Sequence, residues 1–250
     1  TDANGCLINQ STVVRVGSNP QAGLVYQPVC LGSPIQLTSQ ATNSTGSIIM
    51  EEIDPGDGSG SQTASQISHV YNAIGPWNAQ HVVQTEFGCV DTVQQPVLLF
   101  DVPQATFSVN PDEGCAPLCP QFTDNSTVQN ATIAAWNWTA NGMNFAGTAN
   151  PSHCFENPGS YQVGLEVTSS DGCTAVAPNT HQLTVYPNPV AAFSYDPAVA
   201  TMDNPLVTYE NRSDLGNSFL WTFFDGSTQT GEVVTYNYLD TGRYCVTLQV

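Results

Sequence analysis

Cysteine is the residue type in this chain with the clearest capacity for covalent chemistry. The 250-residue sequence contains eight cysteines: Cys6, Cys30, Cys89, Cys115, Cys119, Cys154, Cys173 and Cys245. This number is typical of exported proteins, which fold in an oxidising compartment and form disulfides. Zinc binding is the alternative, because Cys115, Cys119 and the neighbours His153 and Cys154 supply enough ligands for one cluster.

The chain offers little for catalysis. Its histidines are His69, His81, His153 and His181. The sequence contains no nucleophile elbow, phosphate-binding loop or His-Glu-x-x-His motif. Adjacent carboxylates, as in Glu51-Glu52 and Asp112-Glu113, can serve glycoside hydrolysis, but neighbouring residues of a strand point to opposite faces. The sequence therefore predicts a protein that is not an enzyme.

Basic residues are almost absent from the chain. Three arginines and no lysine stand against 21 Asp and Glu, so the formal net charge is -18. Binding to nucleic-acid phosphates needs clustered Lys and Arg, so no nucleic-acid partner is expected. The longest apolar run, Val97–Phe100, is far too short for a spanning helix, and direct membrane insertion is not expected either.

Apolar and polar residues alternate along the chain instead of following a helical period. Tyr161–Val167 is apolar at its odd positions, and Tyr244–Val250 repeats the pattern. Glycine and proline, with 20 and 17 residues, recur along the chain, and no window of twelve residues holds an uninterrupted 3.6-residue apolar pattern. The chain is therefore predicted to be all-β, with sheets that bury one face.

Three motifs recur with a period of about 84 residues. An aromatic turn, with glycine six positions and an aromatic residue eight positions after its first residue, begins at His69, His153 and Tyr236. A strand that ends in a turn spans Ile53–Ser59, Trp138–Gly142 and Trp221–Ser227. A proline-led segment begins at Pro20, Pro103 and Pro189. Three motifs with one common period predict an internal repeat.

Two of these motifs resemble the signature of the polycystic kidney disease (PKD) domain family. Residues 53–59 and 221–227 are similar to its Trp-Asp-Phe-Gly-Asp-Gly-Ser motif, from which the middle repeat departs. Residues 69–77, 153–161 and 236–244 are similar to its His-x-Tyr-x-x-x-Gly-x-Tyr motif. The resemblance implies tandem immunoglobulin-like β-sandwiches of about seven strands each, arranged like beads on a string. The motif tryptophans, Trp138 and Trp221, are then expected between the two sheets.

The repeats also resemble one particular use of this family. A Gly-Cys pair closes a repeat at Cys89 and at Cys173, as in PKD arrays of secreted Bacteroidota surface proteins, of which gliding adhesins are examples. This implies an extracellular, cell-surface spacer or filament segment of an adhesin. Its expected partners are neighbouring repeats of the same or another copy of the chain, head to tail.

A carbohydrate-binding accessory module of a secreted polysaccharide hydrolase is the alternative function. Surface polysaccharide is then the partner, and an exposed row of aromatic side chains is the feature to expect. Trp77, Trp136 and Tyr209 are the candidates for such a row.

The motifs also predict the domain boundaries. Residues 1–17 are the closing strand of a preceding or neighbouring domain, and three PKD-like domains follow: a first repeat (18–101), a second (102–187) and a third (188–250) that lacks its last strand. A closing cysteine of the third repeat falls at position 256, which is Cys6 if Val250 is followed again by Thr1. A longer chain of such periods and strand exchange between copies both remain open.

The cysteine positions within the repeats suggest four disulfides. Each of the first two repeats has a cysteine near its first strand and another in its closing Gly-Cys pair, so two pairs are predicted: Cys30 with Cys89, and Cys115 with Cys173. Cys119 and Cys154 occur only in the second repeat and are predicted to form an extra bridge. Cys6 and Cys245 remain by elimination, across the head-to-tail junction.

Two minor sites complete the sequence-based predictions. Asp54 and Asp57 form a turn, and calcium is the one cofactor to consider, because some PKD domains bind it and carboxylates are its ligands. Thr92, within Asp91-Thr92-Val93, resembles a short Bacteroidota O-glycosylation motif and is the candidate acceptor.

Overall fold

β-Strands make up the regular structure of the chain, as the alternating pattern predicts. The computed structural model describes residues 3–5 and 9–250, and no α-helix occurs among them. The all-β prediction is therefore confirmed. Within the described part of the chain, no helix has the length and apolar character that crossing a bilayer requires.

The first repeat is a two-sheet sandwich. Its strands are β1 (Leu24–Val25), β2 (Val29–Cys30), β3 (Pro34–Ser39), β4 (Ile48–Asp54), β5 (Gln62–Thr63), β6 (Gln66–Val70), β7 (Trp77–Thr85), β8 (Val90–Val97) and β9 (Leu99–Phe100). The sheets have the orders β1-β3-β6 and β5-β4-β7-β8, and β2 pairs with β9 in parallel. Ile35 and Leu37 of one sheet meet Ile53 and Ala79 of the other in a common core.

The second repeat has the same kind of core with a larger main sheet. Its strands are β10 (Phe107–Asn110), β11 (Glu113–Cys115), β12 (Gln121–Asp124), β13 (Ile133–Ala140), β14 (Met143–Ala146), β15 (Gly159–Ser169), β16 (Thr174–Val176) and β17 (His181–Tyr186). Sheet β10-β12 packs with sheet β11-β17-β15-β13-β14, whose β15 also pairs with β16. Phe122, Trp138, Val163 and Leu183 are buried there.

The third repeat continues the pattern. Its strands are β18 (Phe193–Asp196), β19 (Leu206–Asn211), β20 (Leu220–Thr222), β21 (Thr228–Thr230), β22 (Val233–Asn237) and β23 (Thr247–Gln249). They form sheets β18-β19-β22 and β21-β20-β23. Val207 and Val234 of the first sheet share a core with Trp221 and Leu248 of the second.

The chain divides into two compact units that do not coincide with the three predicted repeats. The first comprises residues up to Thr106, Asn125–Asn137 and Leu165–Pro178. The second comprises Phe107–Asp124, Trp138–Gly164 and Asn179–Val250. The domain boundaries given above therefore stay predictions.

A tryptophan lies at the centre of the second and third cores. Trp138 and Trp221 have 0% of their surface exposed. The indole Nε1 of each donates a hydrogen bond of 2.9 Å to a carbonyl ten residues later, that of Thr148 and of Gly231 respectively. Ile53 is the equivalent, fully buried residue of the first repeat. The predicted core position of the motif tryptophans is confirmed.

The glycine-x-aromatic spacing marks a corner at which an aromatic ring folds back over the turn before it. The ring N–H or hydroxyl donates to the carbonyl four residues earlier in all three repeats: Trp77 to Ala73, Tyr161 to Asn157, and Tyr244 to Asp240. A Cβ atom on Gly75 would lie 2.4 Å from the Trp77 ring. The Trp77 ring therefore leaves no room for a Cβ at Gly75, whereas the same distance is 3.1 Å at Gly242 and 3.7 Å, an ordinary contact, at Gly159.

Candidate functional site

Asp57 connects the two PKD-like motifs of the first repeat. Its Oδ1 accepts hydrogen bonds from the Ser59 backbone N–H at 3.1 Å and from the Ser59 hydroxyl at 2.6 Å. Its Oδ2 lies 2.7 Å from Nε2 of His69, the first residue of the aromatic turn. His69 therefore holds the aspartate turn against the strand that follows it.

The third repeat builds the same contact with a tyrosine in place of the histidine. Asp225 Oδ1 accepts hydrogen bonds from the N–H and hydroxyl of Ser227, and the Tyr236 hydroxyl donates to Asp225 Oδ2 at 2.8 Å. The second repeat, which departs from the motif, uses Asn141 Oδ1 to accept the Gln162 N–H at 2.8 Å. Because tyrosine replaces histidine in the same contact, this position has a structural role.

Acid is expected to loosen this turn in the first repeat. Burial raises the pKa of Asp57, but hydrogen bonds from Ser59 and His69 outweigh that effect and lower the pKa from 3.8 to about 2. A carboxylate with a lowered pKa stabilises the folded state above its unfolded pKa, and this contribution disappears as pH falls through the folded pKa. We expect the melting temperature to fall between about pH 3.8 and about pH 2, and Asp57→Asn to flatten that part of the profile.

Thermal melts followed by circular dichroism from pH 2 upward, in steps of about half a unit around the pKa values, test this expectation. The exposed Asp171→Asn variant is the matched control, since it removes a carboxylate from a hairpin position. A profile of Asp57→Asn that runs parallel to the wild-type profile contradicts it.

The turn leaves few carboxylate oxygens for a metal. Asp54 Oδ1 accepts the Gly56 N–H at 2.8 Å, and both oxygens of Asp57 have the partners described above. In residues 3–5 and 9–250, no group of three or more His, Cys, Asp or Glu side chains is placed to hold a metal ion. The geometry of Asp54 and Asp57 is that of turn-forming residues.

Two disulfides are formed among residues 3–5 and 9–250, and one of them differs from the predicted pairing. Cys119 is bonded to Cys154, as predicted, which removes two ligands from the zinc alternative. Cys30 is bonded to Cys173, with a Cα–Cα distance of 5.7 Å. The predicted pairings of Cys30 with Cys89 and of Cys115 with Cys173 are therefore wrong.

Strand length explains this correction. Cys89 lies in the hairpin that precedes β8, whereas Cys30 pairs with Phe100, which follows the other end of β8. The eight residues of β8, at about 3.3 Å each, place the two cysteines roughly 26 Å apart. A disulfide requires a Cα–Cα distance of at most about 7 Å. The two cysteines of one repeat thus lie at opposite ends of its sandwich.

The hairpins that carry Cys89 and Cys173 have the same hydrogen bonds. In the first, the Thr85 N–H donates to the Cys89 carbonyl at 2.9 Å, and the Cys89 N–H donates to Thr85 Oγ1 at 3.2 Å. In the second, Ser169 replaces Thr85, and the distances are 2.8 and 3.1 Å. The glycines before the cysteines have φ values of 80° and 86°, a backbone region that favours glycine.

The strands that carry Cys30 and Cys115 also match each other. Cys30 pairs in parallel with Phe100, and Cys115 pairs in parallel with Tyr186. The N–H of the residue after each cysteine donates to the carbonyl of that partner, at 2.9 Å in both cases. Cys30 and Cys115 are therefore equivalent positions, which we call the strand cysteines, and Cys89 and Cys173 are the hairpin cysteines.

Three cysteines in the described part of the chain are free thiols. Cys89 is half-buried, and Cys115 and Cys245 are exposed. Cys6 lies outside the described residues, so its predicted pairing with Cys245 stays a prediction.

His81, which lies outside the turn, is a core residue of the first repeat. His81 is completely buried, its Nδ1 lies 3.0 Å from the Gly23 carbonyl oxygen, and its Nε2 lies 3.2 Å from Glu51 Oε2. Its position in the repeat is that of Leu165 and Leu248, so it replaces a core leucine. This substitution could have been recognised in the sequence by aligning the repeats.

The aromatic residues singled out for sugar binding do not form an exposed row. Tyr209 is buried, and its hydroxyl lies 2.7 Å from that of Tyr238. Trp77 is half-buried and stacks on Tyr71 with a centroid distance of 6.2 Å. Trp136 is also half-buried, on β13.

Thr92 lies on β8, the edge strand of its sheet. Its side chain is exposed, whereas its neighbour Val93 packs against the core. Asp91 accepts the Ala22 N–H at 2.8 Å. A glycan on Thr92 would point away from the core, and its attachment stays a prediction.

A cavity of about 900 Å³ opens in the third repeat. Phe193, Tyr195, Tyr209 and Tyr238 line it, and Phe193 and Tyr195 are 38% and 53% exposed. In the first repeat, Leu99 of the last strand is part of the core. No described strand of the third repeat supplies an equivalent side chain.

The family model of the PKD domain matches residues 101–185 and 186–250. The chain belongs to the PKD domain family. The two matches are consecutive, so the chain contains tandem PKD domains, and the Asp225 turn and the corners at Tyr161 and Tyr244 lie within the matched residues. PKD domains are typically non-catalytic modules.

Several solved structures match the chain at low overall similarity. The PKD1 domain of Vibrio anguillarum Epp is 26% identical, with a TM-score of 0.29, and the match covers 34% of this chain and 96% of that one. The fibronectin(III)-like modules of Clostridium thermocellum CbhA are 14% identical, with a TM-score of 0.39 and coverage of 67% and 95%. A 1.5-MDa bacterial ice-binding adhesin is 15% identical, with a TM-score of 0.40 and coverage of 89% and 88%. No curated protein matches the chain.

Proposed function

We propose that this chain is a structural segment of an exported cell-surface adhesin, in which PKD repeats act as a spacer between the cell and the adhesive part. Gliding adhesins of Bacteroidota are the system that its Gly-Cys repeats resemble. The adhesive ligand is bound elsewhere in the assembly, and the role of this segment is mechanical.

The observation that carries this proposal is the Cys30–Cys173 disulfide. It connects a strand cysteine of the first repeat with the hairpin cysteine of the second, across 143 residues. A bond of this kind transmits tension from repeat to repeat without requiring either sandwich to unfold. Disulfides persist in oxidising surroundings, which supports the extracellular location.

The cavity of the third repeat supports head-to-tail assembly. Aromatic side chains line part of it, and two of the lining residues, Val207 and Tyr209, also belong to the core of the third repeat. A strand from a neighbouring PKD repeat has the chemistry to fill it, because strand addition combines backbone hydrogen bonds with apolar side chains. The partner is therefore a repeat of the same chain or of another copy.

A pulling experiment on single molecules tests the spacer role. With the disulfide intact, the segment between Cys30 and Cys173, which are 143 positions apart, cannot extend. We expect reduction to add about 500 Å of extension, from roughly 3.5 Å per residue, and to lower the force at which the first unfolding steps occur. A chain that extends smoothly at the lowest force, without unfolding steps, contradicts a mechanical role.

A polysaccharide pull-down separates this proposal from the alternative function. Chitin, cellulose and alginate are the probes, with bovine serum albumin as the control for non-specific retention. We expect the chain to remain in the supernatant. Retention on one of these polymers, combined with loss of retention after substitution of aromatic residues, would establish a carbohydrate-binding module instead.

A further inference from the structure

We infer that Cys115 and Cys89 are attachment points for neighbouring PKD repeats, each through a disulfide of the Cys30–Cys173 type. Cys115 bonds the hairpin cysteine of a following repeat, and Cys89 bonds the strand cysteine of a preceding repeat. This inference rests on the proposed function, since it gives the head-to-tail contact a covalent form.

The two strand cysteines, Cys30 and Cys115, have the same backbone environment. Cys115 has the same parallel pairing and the same 2.9 Å hydrogen bond after it as Cys30. Cys30 is bonded, whereas Cys115 is an exposed free thiol. Cys115 is therefore presented in the backbone setting that, in the first repeat, holds a cysteine of the next repeat.

The two hairpin cysteines, Cys89 and Cys173, also have the same backbone environment. Cys89 has the hydrogen bonds and the left-handed glycine that position Cys173 for its bond. Gly5, which precedes Cys6, has a φ of 83° and so shares this backbone feature. Cys6 itself lies outside the described residues, and its sequence context is the same Gly-Cys pair.

Cys245 provides the contrast within the same chain. It is a free, exposed thiol like Cys115, yet no cysteine lies at its position in the other repeats, where Asn78 and Gln162 occur. It also follows neither the strand nor the hairpin pattern. Exposure alone therefore does not mark Cys115. Cys245 also lines the cavity of the third repeat, so transfer to Cys245 is the competing outcome, which the predicted Cys6–Cys245 bond would give.

The bond requires an oxidant, which is a disulfide compound such as oxidised glutathione or a thiol-disulfide oxidoreductase. In the first step, the Cys115 thiolate attacks the glutathione disulfide, forms a mixed disulfide and releases one reduced glutathione. In the second step, the hairpin thiolate of the neighbouring repeat attacks the Cys115 sulfur and releases the other glutathione. The two protein thiols lose two electrons and two protons, which glutathione takes up.

Disulfide mapping of the protein isolated from its source, without reduction, tests the inference. Free thiols are blocked with iodoacetamide, the chain is digested, and linked peptides are sequenced by mass spectrometry. We expect Cys115 linked to a peptide that contains Gly-Cys. A peptide that contains Cys6 or Cys89 identifies a second copy, and a Gly-Cys peptide outside the present 250 residues identifies a longer chain.

A reconstituted reaction measures the selectivity of Cys115 directly. The purified chain is converted to its glutathione mixed disulfide and mixed with a synthetic peptide of residues 1–17. Because docking raises the effective concentration of the peptide thiol, we expect transfer to Cys115 to be about tenfold or more faster than to Cys245. The same peptide with Cys6→Ser controls for non-covalent retention, and the Cys115→Ser chain should lose the fast phase.

Two results overturn the inference. The first is that iodoacetamide modifies both Cys115 and Cys89 in the native protein, which shows that both are free thiols. The other is equal transfer rates at Cys115 and Cys245. Neither result affects the proposed spacer role, whose test depends on the Cys30–Cys173 bond alone.

Discussion

Replacing Trp138 with alanine is expected to lower the free energy of unfolding of the second repeat by about 3–5 kcal/mol. The side chain is completely buried, and its ring packs against those of Phe107 and Phe122 at centroid distances of 5.3 and 5.5 Å. Truncation leaves a cavity between the sheets and leaves the Thr148 carbonyl without its donor. Urea unfolding followed by fluorescence and circular dichroism measures the loss.

Two variants control this experiment. Met143→Ala removes a large side chain that is 73% exposed in the same repeat, and it should change stability by less than about 0.5 kcal/mol. Trp138→Phe keeps an aromatic ring and should fall between the two. Equal losses for Trp138→Ala and Met143→Ala would show that Trp138 is not a core residue.

Removing the long-range disulfide with the double substitution Cys30→Ser and Cys173→Ser is expected to cost about 2–5 kcal/mol. The bond closes a loop of 143 residues, so its loss frees a large part of the unfolded chain and raises the entropy of that state. Calorimetry should show a lower melting temperature for the transition that includes the first repeat.

Reduction of the wild-type chain should produce the same shift, apart from the contribution of Cys119–Cys154. Cys245→Ser, which removes an exposed free thiol, should leave the transition unchanged. If the double variant melts at the wild-type temperature in the absence of reductant, the bond is not formed in the protein.

The sequence was sufficient for the sandwich but not for the way cysteines pair. Alternation predicted the strands, and the repeat period placed Trp138 and Trp221 in equivalent cores, because both signals are local and recur along the chain. The pairing of Cys30 depends on which end of β8 each cysteine occupies. The number of residues between two cysteines does not reveal their distance in space, because that distance depends on which residues form an extended strand.

The contact between Asp57 and His69 is a second case in which the sequence identified the residues but not their contact. Asp57 and His69 were each recognised as motif positions, yet their 2.7 Å contact was not predicted. Asp57 follows β4 of one sheet, whereas His69 lies on β6 of the other, so the contact depends on how the two sheets pack. The buried His81 is a different case, since alignment with Leu165 and Leu248 would have placed it in a core position.

The bond between Cys30 and Cys173 also changes the effect of proteolytic cleavage on the integrity of the chain. A protease that cleaves one peptide bond anywhere from residue 31 to residue 172 produces fragments that are still covalently joined. Under non-reducing conditions, such a cut changes the mass of the molecule only by one added water, because the disulfide keeps the fragments together. One such cut, anywhere in more than half of the 250 residues, therefore leaves the two ends of the chain covalently connected through this bond.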